Sequence, residues 1–228
     1  MICIPTRRAG ATPARPPRGF ETHDECPHRR SHVRRAGARV RLLGDGADWA
    51  TASLLARLSH LPQSNTAEAL GAPACFNRLV STAAADIYVL LEAGAVVGPG
   101  WLARIVEALA SDERNGLAGP STNRSWNEQG IGRACDGSPQ EVAEAARSVA
   151  ARYGSRVRAL GPLYSLADFC YAVRREVIEA VGAADESYGR GPCWEMDYNV
   201  RAERAGWRRW RLTACLMSEA SSARFVSG

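Results

Sequence analysis

Ile87-Tyr88-Val89-Leu90-Leu91 is an unbroken apolar run with a carboxylate at each end, Asp86 before it and Glu92 after it. A run that short, apolar on both alternating faces, belongs to a strand covered on both sides of a sheet. Covering both faces requires helices, and the flanking text supplies them. Upstream, Arg39-Val40-Arg41-Leu42-Leu43 reads as a strand ending in the turn Gly44-Asp45-Gly46-Ala47-Asp48, after which Leu54, Leu55, Leu58 and Leu61 recur at helical spacing. A second helix is expected over Ala67 to Ala84. Downstream, Gly98-Pro99-Gly100 breaks the chain before an amphipathic helix over Trp101 to Ala110. Alternating strands and helices predict an α/β fold with a mostly parallel central sheet flanked by helices.

The pattern continues to the C-terminal side. Gly116 to Pro120 reads as a strand, and Ser121 to Gly137 as a polar loop holding Asn123, Arg124, Trp126 and Asn127, of the kind that carries ligands on such folds. Ser138-Pro139-Gln140-Glu141 opens a helix running to about Tyr153, with proline in its first turn and capping-box spacing. Leu166 to Val173 is expected as a strand, Arg174 to Val181 as a helix, Gly182 to Gly191 as a turn, and Trp207 to Leu212 as the last strand.

Residues 1–38 read differently. From Arg7 to about Gly37 the text is rich in Arg, Pro, Gly and His without periodic apolar positions, which predicts an irregular arm ahead of a folded unit over 39–228. The arm holds His23, Cys26, His28 and His32, whose spacing fits no standard zinc finger. Ten of the 29 basic residues lie in the first 41 positions against three acids, so the net charge of +5 is concentrated there and the folded part is near neutral. A nucleic-acid binder carries its basic surface on the folded module, and no nucleic-acid partner is expected. Seven scattered cysteines without a Cys-x-x-Cys pair read as reduced thiols, with Cys170 and Cys193 as small core residues. No apolar run of about 18 residues occurs, so a cytoplasmic protein without a transmembrane segment is expected.

Chemistry concentrates in Gly189-Arg190-Gly191-Pro192-Cys193-Trp194-Glu195-Met196-Asp197, a turn entering a helix with Pro192 expected at its first position. Glu195 and Asp197 lie near the positive end of the helix dipole and point to nearly opposite faces. Asp197 and Arg201 are i,i+4 neighbours, which ties one acid and leaves the other free to face a pocket. The same two acids also suit the plain role of stabilising a helix start.

In order and spacing, four segments resemble family 2 glycosyltransferases, inverting enzymes of the GT-A fold that use nucleotide-activated sugars. They are the turn around Asp45, Asn77 through Leu102, Gly116 through Asn123, and Phe169 through Arg201. Met1-Ile2-Cys3-Ile4-Pro5-Thr6 is similar to the family's first strand, expected at 2–6. The resemblance implies that Asp45 lies near the nucleotide base, that Glu92 stands at the first acid of the Asp-x-Asp motif, and that Glu195 is the catalytic base. It further implies donor or acceptor contacts at Asn77, Arg78, Asn123, Trp126 and Asp197, and a sugar transferred to a glycan, lipid-linked or protein acceptor, as in polysaccharide biosynthesis. The chain departs from the family where the second motif acid would hold Mg²⁺ or Mn²⁺, since Gly94 stands there, and where a histidine would follow the last strand, since Cys215-Leu216-Met217-Ser218 has none. No metal ligand is assigned. The alternative expectation is an impaired or truncated relative that acts as a nucleotide-sugar-binding or interaction module.

Overall fold

A computed structural model describes residues 2–3, 38–82, 84–123, 127–131, 138–154, 157–160 and 166–219, with backbone alone at 2–3, 157–159 and 211–219. The Arg/Pro-rich arm with its His23, Cys26, His28 and His32, and the loop residues Arg124 and Trp126, lie outside the described residues.

The strands are β1 (Ile2–Cys3), β2 (Arg41–Asp45), β3 (Gln63–Thr66), β4 (Ile87–Leu91), β5 (Ala95–Val97), β6 (Asn115–Thr122), β7 (Val157–Ala159), β8 (Cys170–Arg174) and β9 (Arg208–Glu219). They form one sheet in the order β3-β2-β1-β4-β8-β6-β9-β5, with β7 added on β9. Strands β2, β3, β4, β6 and β9 share a direction, and β1, β5, β7 and β8 oppose it, so the sheet is mixed. Among neighbours only β2–β3 and β6–β9 are parallel in these described residues. The helices are α1 (Trp49–Arg57), α2 (Ala72–Thr82), α3 (Trp101–Ala110), α4 (Pro139–Tyr153), α5 (Arg175–Val181) and α6 (Trp194–Arg204).

Every residue of β4 is buried, and its alternation divides the core. Tyr88 and Leu90 join Tyr171 and Val173 of β8 on the face covered by α2, α5 and α6, while Ile87, Val89 and Leu91 join Cys170 and Ala172 on the face covered by α3. At about 25 cal/mol per Å² of apolar surface, a strand covered on both sides is the strongest single organiser of such a fold. Among the described residues no helix is long and apolar enough to cross a membrane.

Several boundaries differ from expectation for identifiable reasons. α2 begins at Ala72 rather than Ala67 because Pro73 is tolerated only in a first turn. The polar stretch Gln63–Thr66, which has no apolar alternation, is a parallel edge strand, and the Gln63 amide caps the end of α1 by donating to the Leu55 and Leu58 carbonyls at 2.7 and 3.0 Å. β9 continues beyond Leu212 to Glu219 because β5 and the end of β6 both pair with its second half. The expected capping at α4 is present, with the Ser138 hydroxyl accepting the Glu141 amide at 3.3 Å.

Candidate functional site

The tips of β2 and β4 bring Asp45 and Glu92 to one cavity, and the start of α6, which carries Glu195, is bonded to the segment that precedes β8. Asp45 closes β2, and its carboxylate is fully engaged. Oδ1 accepts from the Leu70 amide (3.1 Å), the Thr66 hydroxyl (3.2 Å) and Arg78 (3.3 Å), and Oδ2 from the Gly71 amide (2.8 Å). Burial pushes the Asp45 carboxyl up, but the two amides, Thr66 and the Arg78 charge outweigh it and hold the group below the ordinary carboxylate range. Arg78 also donates to the Gly44 and Ser64 carbonyls and to Cys75 Sγ, so it braces Asp45 from behind.

Asn77 points elsewhere. Its amide nitrogen donates to the Ala184 carbonyl at 2.9 Å and to Glu186 at 2.8 Å, and its oxygen accepts the Ala184 amide at 2.9 Å. It thereby ties α2 to the segment that leads into α6. Asp197 pairs with Arg201 at 2.8 Å, as the i,i+4 spacing predicted, and the guanidinium continues to the Val181 and Ala183 carbonyls and lies over the Tyr198 ring. Asn123 is half-buried at the end of β6, its side-chain oxygen accepting from Thr122 at 3.4 Å.

Glu195 sits in the first turn of α6 and is 8% exposed. Burial is the main cause that raises its carboxyl to about 6; its own backbone N–H and that of Cys193 pull the other way, and the charge of Asp168 adds to the rise. The helix entry differs from expectation. Pro192 lies outside the helix, and the N-cap is Cys193 at φ 81, a left-handed conformation without a side-chain cap. Cys193 is exposed rather than a core residue, because that conformation turns it away from the packed face, whereas Cys170 is buried as expected. Trp194 is 1% exposed and packs with Phe76, Tyr171 and Tyr198, which fixes the first turn.

Sequence reasoning missed two residues here. Asp168 accepts the Trp194 indole N–H at 3.1 Å, and the next residue, Phe169, accepts the Glu92 amide through its carbonyl at 2.9 Å. The tip of β4 thus adjoins the segment that faces Glu195. Gln129 is fully buried and holds the loop after β6 in place, donating to the Pro120 carbonyl at 2.9 Å and accepting the Ala167 amide at 2.7 Å. Neither carries a local period, so only the non-local contact reveals them.

A cavity of about 550 Å³, within the usual size of ligand pockets, opens beside the β2 turn, bordered among others by Leu43, Asp45, Asp48, Thr51, Leu54 and Glu92. It joins Asp45 to Glu92; Glu195 is not among its walls. Glu92 is exposed, and Gly94, at φ 100, offers no side chain beside it. Among the described residues no three His, Cys, Asp or Glu side chains stand close enough together to hold a metal ion.

No family model and no curated protein matches the chain. Among solved structures it is similar to GalNAc-T7 with UDP, GalNAc and Mn²⁺, at 14% identity and TM-score 0.57 over 83% of this chain and 38% of that one. It is also similar to the mannosyltransferase PcManGT from Pyrobaculum calidifontis in complex with GDP-Man and Mn²⁺, at 18% identity and TM-score 0.56 over 82% of this chain and 49% of that one. The chain therefore spans less than half the length of either. The likeness is one of fold, and the α/β architecture is of the GT-A type.

Proposed function

We propose that this chain is a glycosyltransferase that moves a sugar from a nucleoside-diphosphate donor to an acceptor hydroxyl with inversion, and that Glu195 is the base. The observation that carries the reading is a carboxylate that is 8% exposed, raised to about 6, and mounted at a helix start beside the segment bonded to the tip of β4. A base with that proton affinity is mostly ionised at neutral pH yet accepts a proton readily. In the proposed step the acceptor oxygen forms a bond to the anomeric carbon, the bond from that carbon to the diphosphate oxygen breaks on the opposite side, and the acceptor proton passes to Glu195. The nucleoside diphosphate leaves with the electron pair. The cavity beside Asp45 and Glu92 supports a donor site at the β2 turn, where Asp45 acts by fixing the Gly71 segment. The acceptor is a glycan, a lipid-linked sugar or a protein.

A second reading is a nucleotide-sugar-binding module without turnover. It is favoured by the residues at the β4 tip, where Gly94 supplies no second acid beside Glu92 to help hold a divalent cation that would neutralise a diphosphate. A panel of UDP, GDP and dTDP sugars separates the two. The transferase reading expects saturable turnover with at least one donor that is lost in Glu195→Gln while donor binding persists. Thermal stabilisation by a donor without turnover, with or without Mn²⁺, supports the binding module. No stabilisation by any donor overturns both.

A further inference from the structure

Trp194 and Glu195 are consecutive in the first turn of α6, and an acid from outside the helix bonds the first of them. Asp168 precedes β8, is half-buried, and accepts the Trp194 indole N–H at 3.1 Å. Its neighbours on either side are held as firmly: Ala167 donates its amide to buried Gln129 at 2.7 Å, and Phe169 accepts the Glu92 amide at 2.9 Å. Asn199, one turn along α6, donates to the Leu166 carbonyl at 3.3 Å and to the Glu195 carbonyl, so the helix and this segment are fastened at two points.

We propose that Asp168 is a positioning residue for Glu195, anchoring the first turn of α6 through the Trp194 indole and presenting its negative charge to the Glu195 carboxyl. This rests on the reading of Glu195 as the base. The remaining groups around Glu195 do not take that part. Tyr171 of β8 is fully buried and its hydroxyl is pushed well above its ordinary range, mainly by burial, so it stays neutral. Tyr198, also raised by burial, donates to the Gly182 carbonyl at 3.0 Å. Arg201 is bound to Asp197, and Arg209 of β9 to the Asn199 carbonyl and Glu203. From α2 the packed side chain is Phe76. The Asp168 charge adds to burial, the larger cause, in raising the Glu195 proton affinity. A base beside an anion holds a captured proton more strongly than burial alone arranges.

The test uses the full chain and two variants. Asp168→Asn keeps an oxygen to accept the indole N–H and removes the charge; Asp168→Ala removes both. The readout is the Glu195 carboxyl titration by ¹³C NMR in glutamate-labelled protein, assigned by its disappearance in Glu195→Gln, together with the Trp194 indole resonance. Asp168→Asn is expected to move the Glu195 midpoint to lower pH with the indole resonance in place, and to move the acid limb of kcat/KM the same way. Asp168→Ala is expected to shift the indole resonance as well and to lower kcat about tenfold with little change in KM. A Glu195 midpoint in Asp168→Asn equal to that of the unaltered chain overturns the proposal. If the unaltered chain turns over no sugar donor, the transferase reading falls while the titration still decides the role of Asp168.

Discussion

Gly71 lies so close to Gly189 that a β-carbon on Gly71 would overlap the Gly189 carbonyl oxygen. The contact links the two halves of the candidate site, since the Gly71 amide is held by Asp45 at 2.8 Å and Gly189 begins the turn that enters α6. Gly71 is also at φ 98, a conformation that side chains rarely adopt. Gly71→Ala is therefore expected to cost about 3 kcal/mol or more, from backbone overlap added to left-handed strain. Gly182→Ala is the control: Gly182 has φ 84 but open space around it, so only the conformational cost of about 1 kcal/mol applies. Urea denaturation of the two variants checks the difference, and equal losses would show that the close contact carries no weight.

Asp45 is 20% exposed in its side chain and accepts four hydrogen bonds, three of them from outside β2 and α2. Truncation leaves the Leu70 and Gly71 amides without that acceptor and removes the anionic one of several acceptors from the Arg78 guanidinium. Asp45→Ala is expected to lose about 2 kcal/mol or more at neutral pH. Its carboxyl is depressed in the folded state, so its contribution is present above the unfolded value of 3.8 and fades as pH falls through the lower folded value. Stability curves of the variant and the unaltered chain should converge in acid; a constant gap down to low pH would contradict the assignment.

What could be read beforehand follows from how local each signal is. β4 was legible because each of its residues is buried, and the Asp197–Arg201 pair because an i,i+4 spacing determines proximity within one helix. β3 was not, since Gln63–Thr66 is polar and its place depends on pairing with β2. Asn77 looked available and is spent on a segment 107 residues away, a fact with no local trace. Asp168 was hidden for the same reason: its importance comes from Trp194, which lies 26 residues on. Helix signals near Pro192 were misleading because the left-handed Cys193 resets the start.

Cys193 is a non-glycine residue at φ 81 immediately before Trp194, and it caps nothing with its side chain. Such a conformation costs a residue with a β-carbon roughly 1 kcal/mol relative to glycine. Cys193→Gly is expected to raise stability by about 0.5 kcal/mol, the relief being offset in part by the greater freedom of glycine in the unfolded chain. Thermal denaturation with a thiol reductant present checks it. A loss of stability would mean that the cysteine side chain supports the helix start.

Glu195 should trade stability for chemistry. Its carboxyl ordinarily ionises at 4.5 and is raised to about 6 by burial, so the folded state binds its proton more tightly than the unfolded chain does. The resulting stability is complete below the unfolded value and is lost as pH rises through the folded one, a difference of about 2 kcal/mol at 1.36 kcal/mol per unit. Gln keeps an oxygen to accept the Cys193 and residue 195 amides and never ionises. Glu195→Gln is therefore expected to match the unaltered chain near pH 4 and to exceed its stability by about 1 to 2 kcal/mol at pH 8, while abolishing turnover. Guanidinium denaturation at the two pH values measures it. A variant no more stable at pH 8 would mean that the carboxylate is solvated in the folded state and is not the desolvated base that the transfer step requires.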